Sequence, residues 1–232
     1  ARLRSHPGIA PATARVMAPA MISSPSPMEG VTLVGIDPAS EGDISVIDER
    51  VSAGESLTAG SSDRILLGHH LARLLDVDVG AKVVITTAEA GTGELSRALF
   101  RVGGILTFRS RAMDQGMAFV SIDQAQKLLA LPNGIHEIAF TLKDAALADG
   151  ASLWRKFSSE ENIAESWRQI MPQIGTMLEL YDFTIYIMAL IIFTIVALGV
   201  MNALFMAIYE RMFEFGVIKA LGTGRLTVWS MI

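Results

Sequence analysis

Cysteine is absent from the chain. Its absence excludes thiol catalysis, cysteine-ligated metals and disulfides, and is compatible with an oxidising compartment. A basic surplus is also missing: 19 Lys and Arg stand against 24 Asp and Glu, for a net charge of −5. Nothing therefore suggests nucleic acid as a partner. No stretch fits the phosphate-binding pattern G-x-x-x-x-G-K-[ST], and no Ser/His/Asp set carries a local catalytic signature. No repeat of fixed period is visible. Neither an initiator Met nor a charged-then-apolar leader precedes residue 183. A large exported domain needs something to export it, so the expectation is a segment ahead of residue 1.

Against these absences stands one long uncharged run, FTIYIMALIIFTIVALGVMNALFMAI, residues 183–208. A helix that spans a bilayer needs about 20 predominantly apolar residues. Fourteen of these 26 residues are Leu, Ile, Val or Phe. At roughly −0.3 to −0.6 kcal/mol each they give about −4 to −8 kcal/mol of insertion free energy, enough to carry the single amide, Asn202. A buried helix of a soluble enzyme is rarely apolar on every face over so many turns. The run is too long and too far along the chain to be a signal peptide.

Upstream, residues 1–30 are rich in Pro, Ala and Ser and read as an irregular strand or two completing a sheet. Val31-Thr32-Leu33-Val34-Gly35-Ile36 is a buried strand stopped by Asp37-Pro38. Val51-Ser52-Ala53-Gly54-Glu55 reads as a strand end and turn. Ile65-Leu66-Leu67 is a short strand, and Gly68 opens a helix with Leu71, Leu74 and Leu75 on one face. Residues 82–87 form the next strand and Gly91-Thr92-Gly93 a hairpin turn. A strand follows over 98–106, broken at Gly103-Gly104. Residues 118–120 are a strand, 122–131 a helix with Ala125, Leu128 and Leu129 inward, and 135–142 an alternating strand. Residues 145–157 read as a helix with Leu147, Ala151 and Trp154 at 3–4 spacing. Residues 1–158 are thus an α+β domain long enough to bury its own core.

From about Glu160 the pattern is helical: Ile163, Trp167, Ile170, Ile174, Met177, Leu178 and Tyr181 recur at three and four residues. Pro172 should bend or break that helix. The expectation is a helix over 160–208, roughly 73 Å at 1.5 Å per residue, against a hydrocarbon core of about 30 Å. Its first part, residues 159–182, is read as a stalk. Basic residues close to the span set orientation. Arg211, Lys219 and Arg225 follow it, whereas only Arg168 precedes it, beside Glu165, Glu179 and Asp182. Residues 1–182 are therefore expected outside and the C-terminal end in the cytoplasm.

Behind the span comes Glu210-Arg211-Met212-Phe213-Glu214-Phe215-Gly216-Val217-Ile218-Lys219-Ala220-Leu221-Gly222. It reads as a short amphipathic helix with Phe213, Val217 and Leu221 in one stripe, ended at Gly222-Thr223-Gly224. Two readings stay open for it: a membrane-surface helix with snorkelling cations, or a docking element. The pattern E-R-x-x-E-x-G-x-x-x-A-L-G, carried by Glu210, Arg211, Glu214, Gly216, Ala220, Leu221 and Gly222, resembles the cytoplasmic segment of MacB/FtsX-type ABC transporter permeases. Looser likenesses lie in Gly35-Ile36-Asp37-Pro38, in Ile65-Leu66-Leu67-Gly68 with Leu71-Ala72, in Val79-Gly80, and in Trp167 with Pro172. They are nearer to the lipoprotein-releasing LolC/LolE branch than to the cell-division branch.

The resemblance implies an α+β extracytoplasmic (periplasmic) domain, a long stalk/transmembrane α-helix and a short cytoplasmic coupling helix at 209–232. It implies a non-enzymatic permease subunit in the bacterial inner membrane, without a cofactor of its own, coupling ATP hydrolysis to lipoprotein release or efflux. Its partners would be an ABC-type ATPase subunit, a second permease copy or paralogue, the lipid membrane, and a lipoprotein or periplasmic protein. The ATPase would rest on Glu210, Arg211, Phe213, Glu214, Gly216, Val217, Lys219, Ala220, Leu221 and Gly222. The family has four membrane helices and this sequence contains one, so the resemblance implies a fragment.

Within the span, Gly199, Ala203 and Ala207 recur every four residues, a spacing that lets another helix approach closely and that also arises by chance. His69-His70 point about 100° apart on a helix and cannot readily share a metal. Met17, Met21 and Met28 suit either core packing or an adaptable apolar surface. Two other functions fit a single span: a receptor or adhesin, and a membrane-anchored enzyme, for which no convergent titratable residues stand out.

Overall fold

The computed structural model of the chain describes residues 8–25, 28–144, 150–159 and 162–222. It divides into two compact units, Ala1–Ser159 and Glu160–Ile232. In the first, the strands are β1 (Ile9–Ser23), β2 (Met28–Ile36), β3 (Val51–Gly54), β4 (Arg64–Gly68), β5 (Lys82–Ala88), β6 (Leu95–Leu106), β7 (Met117–Ser121) and β8 (Glu137–Leu142). The helices are α1 (Pro38–Glu41), α2 (His69–Leu74), α3 (Arg111–Gly116), α4 (Ile122–Leu128) and α5 (Ala151–Phe157), with one 3-10 turn at Asp48–Arg50.

Strand order β2-β7-β4-β6-β5-β1 closes on itself because β1 also pairs with β2. The result is a six-stranded ring, to which β8 adds on β1 and β3 on β6. β1 is the strand that closes it. One edge runs antiparallel to β2 over residues 15–23, while the other serves β5 over 20–23 and β8 over 9–15. Its two prolines explain why it looks irregular in the sequence. Pro11 falls where the register with β8 shifts, as expected of a residue without an N–H. Pro19 keeps its carbonyl in use, accepting from Thr87 Oγ1 at 2.7 Å.

Alternation sets the core. Val16, Ala18, Ala20 and Ile22 of β1 all turn into one large cluster. β2, β4 and β7 are buried on both faces: Leu33, Ile65 and Val120 enter that cluster, whereas Val34, Leu66 and Phe119 enter a second. Burial on both faces is why these strands read as continuous apolar runs. Two glycines allow helices to lie tight on the sheet. A Cβ on Gly68 would sit 2.1 Å from the carbonyl oxygen of Asp114 in α3, and one on Gly35 would sit 2.4 Å from Ala125 Cβ in α4.

Several sequence expectations need revision. Leu71 and Leu75 are buried, but Leu74 is 43% exposed and Ala72 takes its place in the core. Gly103-Gly104 does not break β6. Instead Ile65 faces Val102 and Leu66 faces Gly104, so Gly103 is the extra residue of a bulge. α3 was not expected, because its Asp, Gln and Gly lack an apolar period. The helix expected over 145–157 begins at Ala151 in the described residues, and Leu147 lies outside them. Trp154 stacks on Phe140, with ring centroids 5.9 Å apart.

In the second unit, α6 (Trp167–Ile170) starts with a Ser166/Gln169 capping box, and α7 (Pro172–Ala220) is 49 residues long. The helix expected from Glu160 therefore starts twelve residues later. A residue before proline is pushed out of the α region, and Met171 accordingly sits at φ −126°, ψ 69° between the two helices. Pro172 takes the first helical position, where a missing N–H costs nothing.

Candidate functional site

α7 carries the candidate partner residues as far as Ala220, and Leu221 and Gly222 form the turn that ends it. Its 49 residues make roughly 73 Å at 1.5 Å per residue. It is long and apolar enough to cross a membrane, and its apolar window is unburied by the rest of the chain. Inside the apolar run, Thr184 and Thr194 donate their hydroxyls back to the Leu180 and Leu190 carbonyls at 2.8 Å. Such bonds satisfy a polar side chain where water is absent. The Asn202 side chain has no such bond among the described residues. Gly199, Ala203 and Ala207 share one exposed face of α7, and no atom lies within 4 Å of where a Gly199 Cβ would be.

Residues 210–220 continue α7 rather than forming a helix of their own. Nothing in Tyr209-Glu210-Arg211 breaks a helix, so the span and the motif behind it are one rod. Glu210 and Glu214 lie one turn apart, and Arg211 and Ala220 are exposed with them. Phe213, Val217 and Leu221 are exposed at 83%, 46% and 81%, and follow one stripe at four-residue spacing. Gly216 meets nothing within 4 Å among the described residues, so packing against them does not explain it. Gly222 adopts φ +88°, the left-handed conformation of a helix-ending glycine. The Lys219 side chain, Thr223, Gly224 and Arg225 lie outside the described residues.

The α+β unit holds a second feature. A cleft of about 450 Å³ opens between the segment 45–50, the stretch 108–117 and the strands β1, β2, β7 and β8. Across its base Arg15 pairs with the buried Glu41 at 2.6 Å and with Glu137 at 3.5 Å. The remaining sequence candidates are structural. Asp37 caps α1, accepting from the Ala39 N–H at 3.1 Å and from Ser40 Oγ at 2.8 Å. His69 shares a hydrogen bond with Arg73 at 2.9 Å. Among the described residues no group of three His, Asp or Glu side chains is placed to hold a metal. Met17 packs against the second core cluster, whereas Met21 and Met28 are exposed. The cleft escaped sequence reading because its walls come from five separate stretches, and no local spacing records that.

No family model matches the chain. It is 26% identical over 223 residues to the lipoprotein-releasing system transmembrane protein LolC of Neisseria meningitidis, covering 93% of this chain and 54% of that one. It is 25% identical over 195 residues to LolC of Xylella fastidiosa, covering 81% and 47%. An uncharacterized ABC transporter permease of Methanocaldococcus jannaschii is 26% identical over 129 residues, covering 53% and 32%. The chain spans about half the length of the LolC relatives. In fold, the extracellular domain of a noncanonic ABC-type transporter, YknZ, from Gram-positive bacteria matches with a TM-score of 0.51 at 16% identity, over 71% of this chain and 83% of that domain. In sequence and in fold, then, the chain is similar to ABC transporter permeases of the FtsX/MacB/LolC type.

Proposed function

We propose that the chain is part of the membrane subunit of an ABC transporter, one that turns ATP hydrolysis in the cytoplasm into movement outside it, in the service of lipoprotein release. The observation that carries this reading is α7: one unbroken helix with a charge-free centre that runs on into the Glu210–Gly222 motif. A helix transmits displacement well because its backbone bonds are satisfied internally in lipid as in water. The sequence offers no phosphate-binding loop, so ATP chemistry belongs to a separate ATPase subunit or domain.

In this reading the bacterial inner membrane holds residues 183–208, residues 1–182 are periplasmic, and the end of α7 is cytoplasmic. The ATPase seats on residues 210–222, and a second copy or a paralogous permease packs on the Gly199, Ala203 and Ala207 face. Gly216 supports the docking role over a lipid anchor. Glycine inside a helix costs about 1 kcal/mol relative to alanine, and a lipid surface gains nothing from it. A partner backbone approaching closely does. Glu210 and Glu214 repel each other mildly along the helix and would be repelled by anionic lipid, but they suit a cationic partner surface.

Two variants test the reading. Gly216→Trp should leave membrane insertion intact while uncoupling hydrolysis from transport. Glu214→Lys should reduce co-purification of the ATPase. Wild-type retention of the ATPase by both, with hydrolysis still responsive to cargo, would reduce this segment to a membrane-surface helix.

A further inference from the structure

We propose that the cleft in the α+β unit binds a single-chain anionic amphiphile, an alkyl chain ending in a carboxylate or a phosphate. The inference is independent of the permease reading, since every residue it uses lies within the first unit. Its walls are apolar and adaptable. Met17, Ile47, Phe108, Met113, Met117 and Phe119 line it, and Phe108 leans on Phe119 with centroids 6.1 Å apart. Three of those six are methionines, whose unbranched, polarizable side chains refit to chains of varying shape. The volume, about 450 Å³, falls in the lower part of the roughly 300–1,000 Å³ range of small-molecule sites. One alkyl chain suits that space better than a bulky double-chained lipid.

The charges on the same walls name the head group. Three arginines, Arg15, Arg50 and Arg109, line the cleft against one acid, Glu137. Arg15 is engaged by Glu41 and Glu137. Neither Arg50 nor Arg109 has an ion pair among the described residues, so each guanidinium remains available to a carboxylate or phosphate. Ser45 is also on this wall. Its hydroxyl is buried and has no hydrogen-bond partner among the described residues, a condition that native structures rarely leave uncompensated. Turned toward the cleft, it would find that partner in a head-group oxygen. A neutral or cationic amphiphile would leave both arginines unmatched, and a fully polar ligand would waste the methionine and phenylalanine walls.

The test uses the full chain in phosphatidylcholine nanodiscs and a decanoic acid bearing a diazirine on its alkyl chain. After irradiation and trypsin digestion, label should appear on the peptide 112–127, which contains Met113, Met117 and Phe119. Decanoate or decyl phosphate should reduce that label at least fivefold. Whichever competes better identifies the head as carboxylate or phosphate, while decyltrimethylammonium should compete with neither. The double variant Arg50→Gln/Arg109→Gln should lower the label about tenfold, with labelling of α7 unchanged as the internal control. Met113→Trp, which fills the cleft and keeps both arginines, should remove it as well. Absence of label on 112–127 in the parent protein would overturn the proposal. So would equal competition by the cationic amphiphile, or full labelling in both variants.

Discussion

Replacing Gly68 by alanine tests the architecture of the α+β domain at its tightest point. Gly68 ends β4 and caps α2, with the backbone of α3 lying directly over it. An added Cβ would meet the Asp114 carbonyl oxygen at 2.1 Å and its Cα and carbonyl carbon at 2.6 Å, where ordinary contact begins near 3.4 Å. All three are backbone atoms, so no rotamer change relieves the clash, and α3 must move away. That movement also strains the bond from the Phe108 N–H to Asp114 Oδ1, now 2.7 Å, which holds the chain entering α3. Overpacking costs about 1–3 kcal/mol, and loss of a hydrogen bond to a charged group about 1.5–3 kcal/mol. Together they predict a destabilisation of roughly 2.5–6 kcal/mol. For a domain near 150 residues, 1 kcal/mol moves Tm by about 2–4 °C, so Gly68→Ala should melt roughly 5–24 °C lower. Near-UV circular dichroism of the full chain in mild detergent would follow it, since α7 contributes helix but little fixed aromatic packing. Gly116→Ala, at the end of the same α3 but with open space around it, should stay close to the parent. A Gly68→Ala melt within about 2 °C of the parent would refute the packing described for α2, α3 and β4.

Three further outcomes are expected. Phe100→Ala, at a residue 2% exposed inside the ring, should destabilise the domain by about 3–5 kcal/mol; a loss below about 1 kcal/mol in the same melts would contradict its core position. Pro172→Ala restores the missing N–H and frees Met171 to enter the α region, so α6 and α7 should fuse. Hydrogen exchange at residues 171–175 should then slow, and unchanged exchange would mean that something other than proline sets the break. Asn202→Leu and Ala203→Phe should both weaken pairing of α7 with another membrane helix in a detergent dimerisation assay. The first should do so by about 1–2 kcal/mol at most and the second by more, because a ring forces the backbones apart; unchanged pairing in Ala203→Phe would turn the face of Gly199, Ala203 and Ala207 to lipid.

Much of the fold was legible because its central strands are buried on both sides. Val31 to Ile36, Ile65 to Leu67 and Ala118 to Val120 announce themselves as short apolar runs ended by turn residues, and α4 shows Ala125, Leu128 and Leu129 at helical spacing. β1 was legible only as a strand of some kind. Its two prolines and many alanines hide a continuous element whose partners lie far along the chain. α3 was invisible because it is fixed by one buried carboxylate and a glycine contact, neither of which leaves a period. On α7 the composition located the long apolar run, but the true start of the helix awaited the geometry at Met171. The motif behind the span was read as a separate helix because Glu210 and Arg211 change the polarity there, and a change of polarity is not a break in the backbone. The cleft left no trace in sequence, being assembled by ring closure.

That closure has a temporal consequence. Ile9 faces Leu142 across the β1–β8 ladder, and Ile22 faces Ile85 in β1–β5. The strand that completes the ring therefore waits for residues more than sixty positions downstream, and its pairing with β8 for residues more than a hundred. Contacts at such separations must pay loop-closure entropy before they return any stability. Until β5 and β8 are available, β1 has only its hairpin with β2, and the edge of residues 9–15 and 20–23, roughly 36 Å at about 3.3 Å per residue, stands open to other chains. The ring is thus a late product of synthesis, and the period before it shuts is when the domain is most exposed to mispairing.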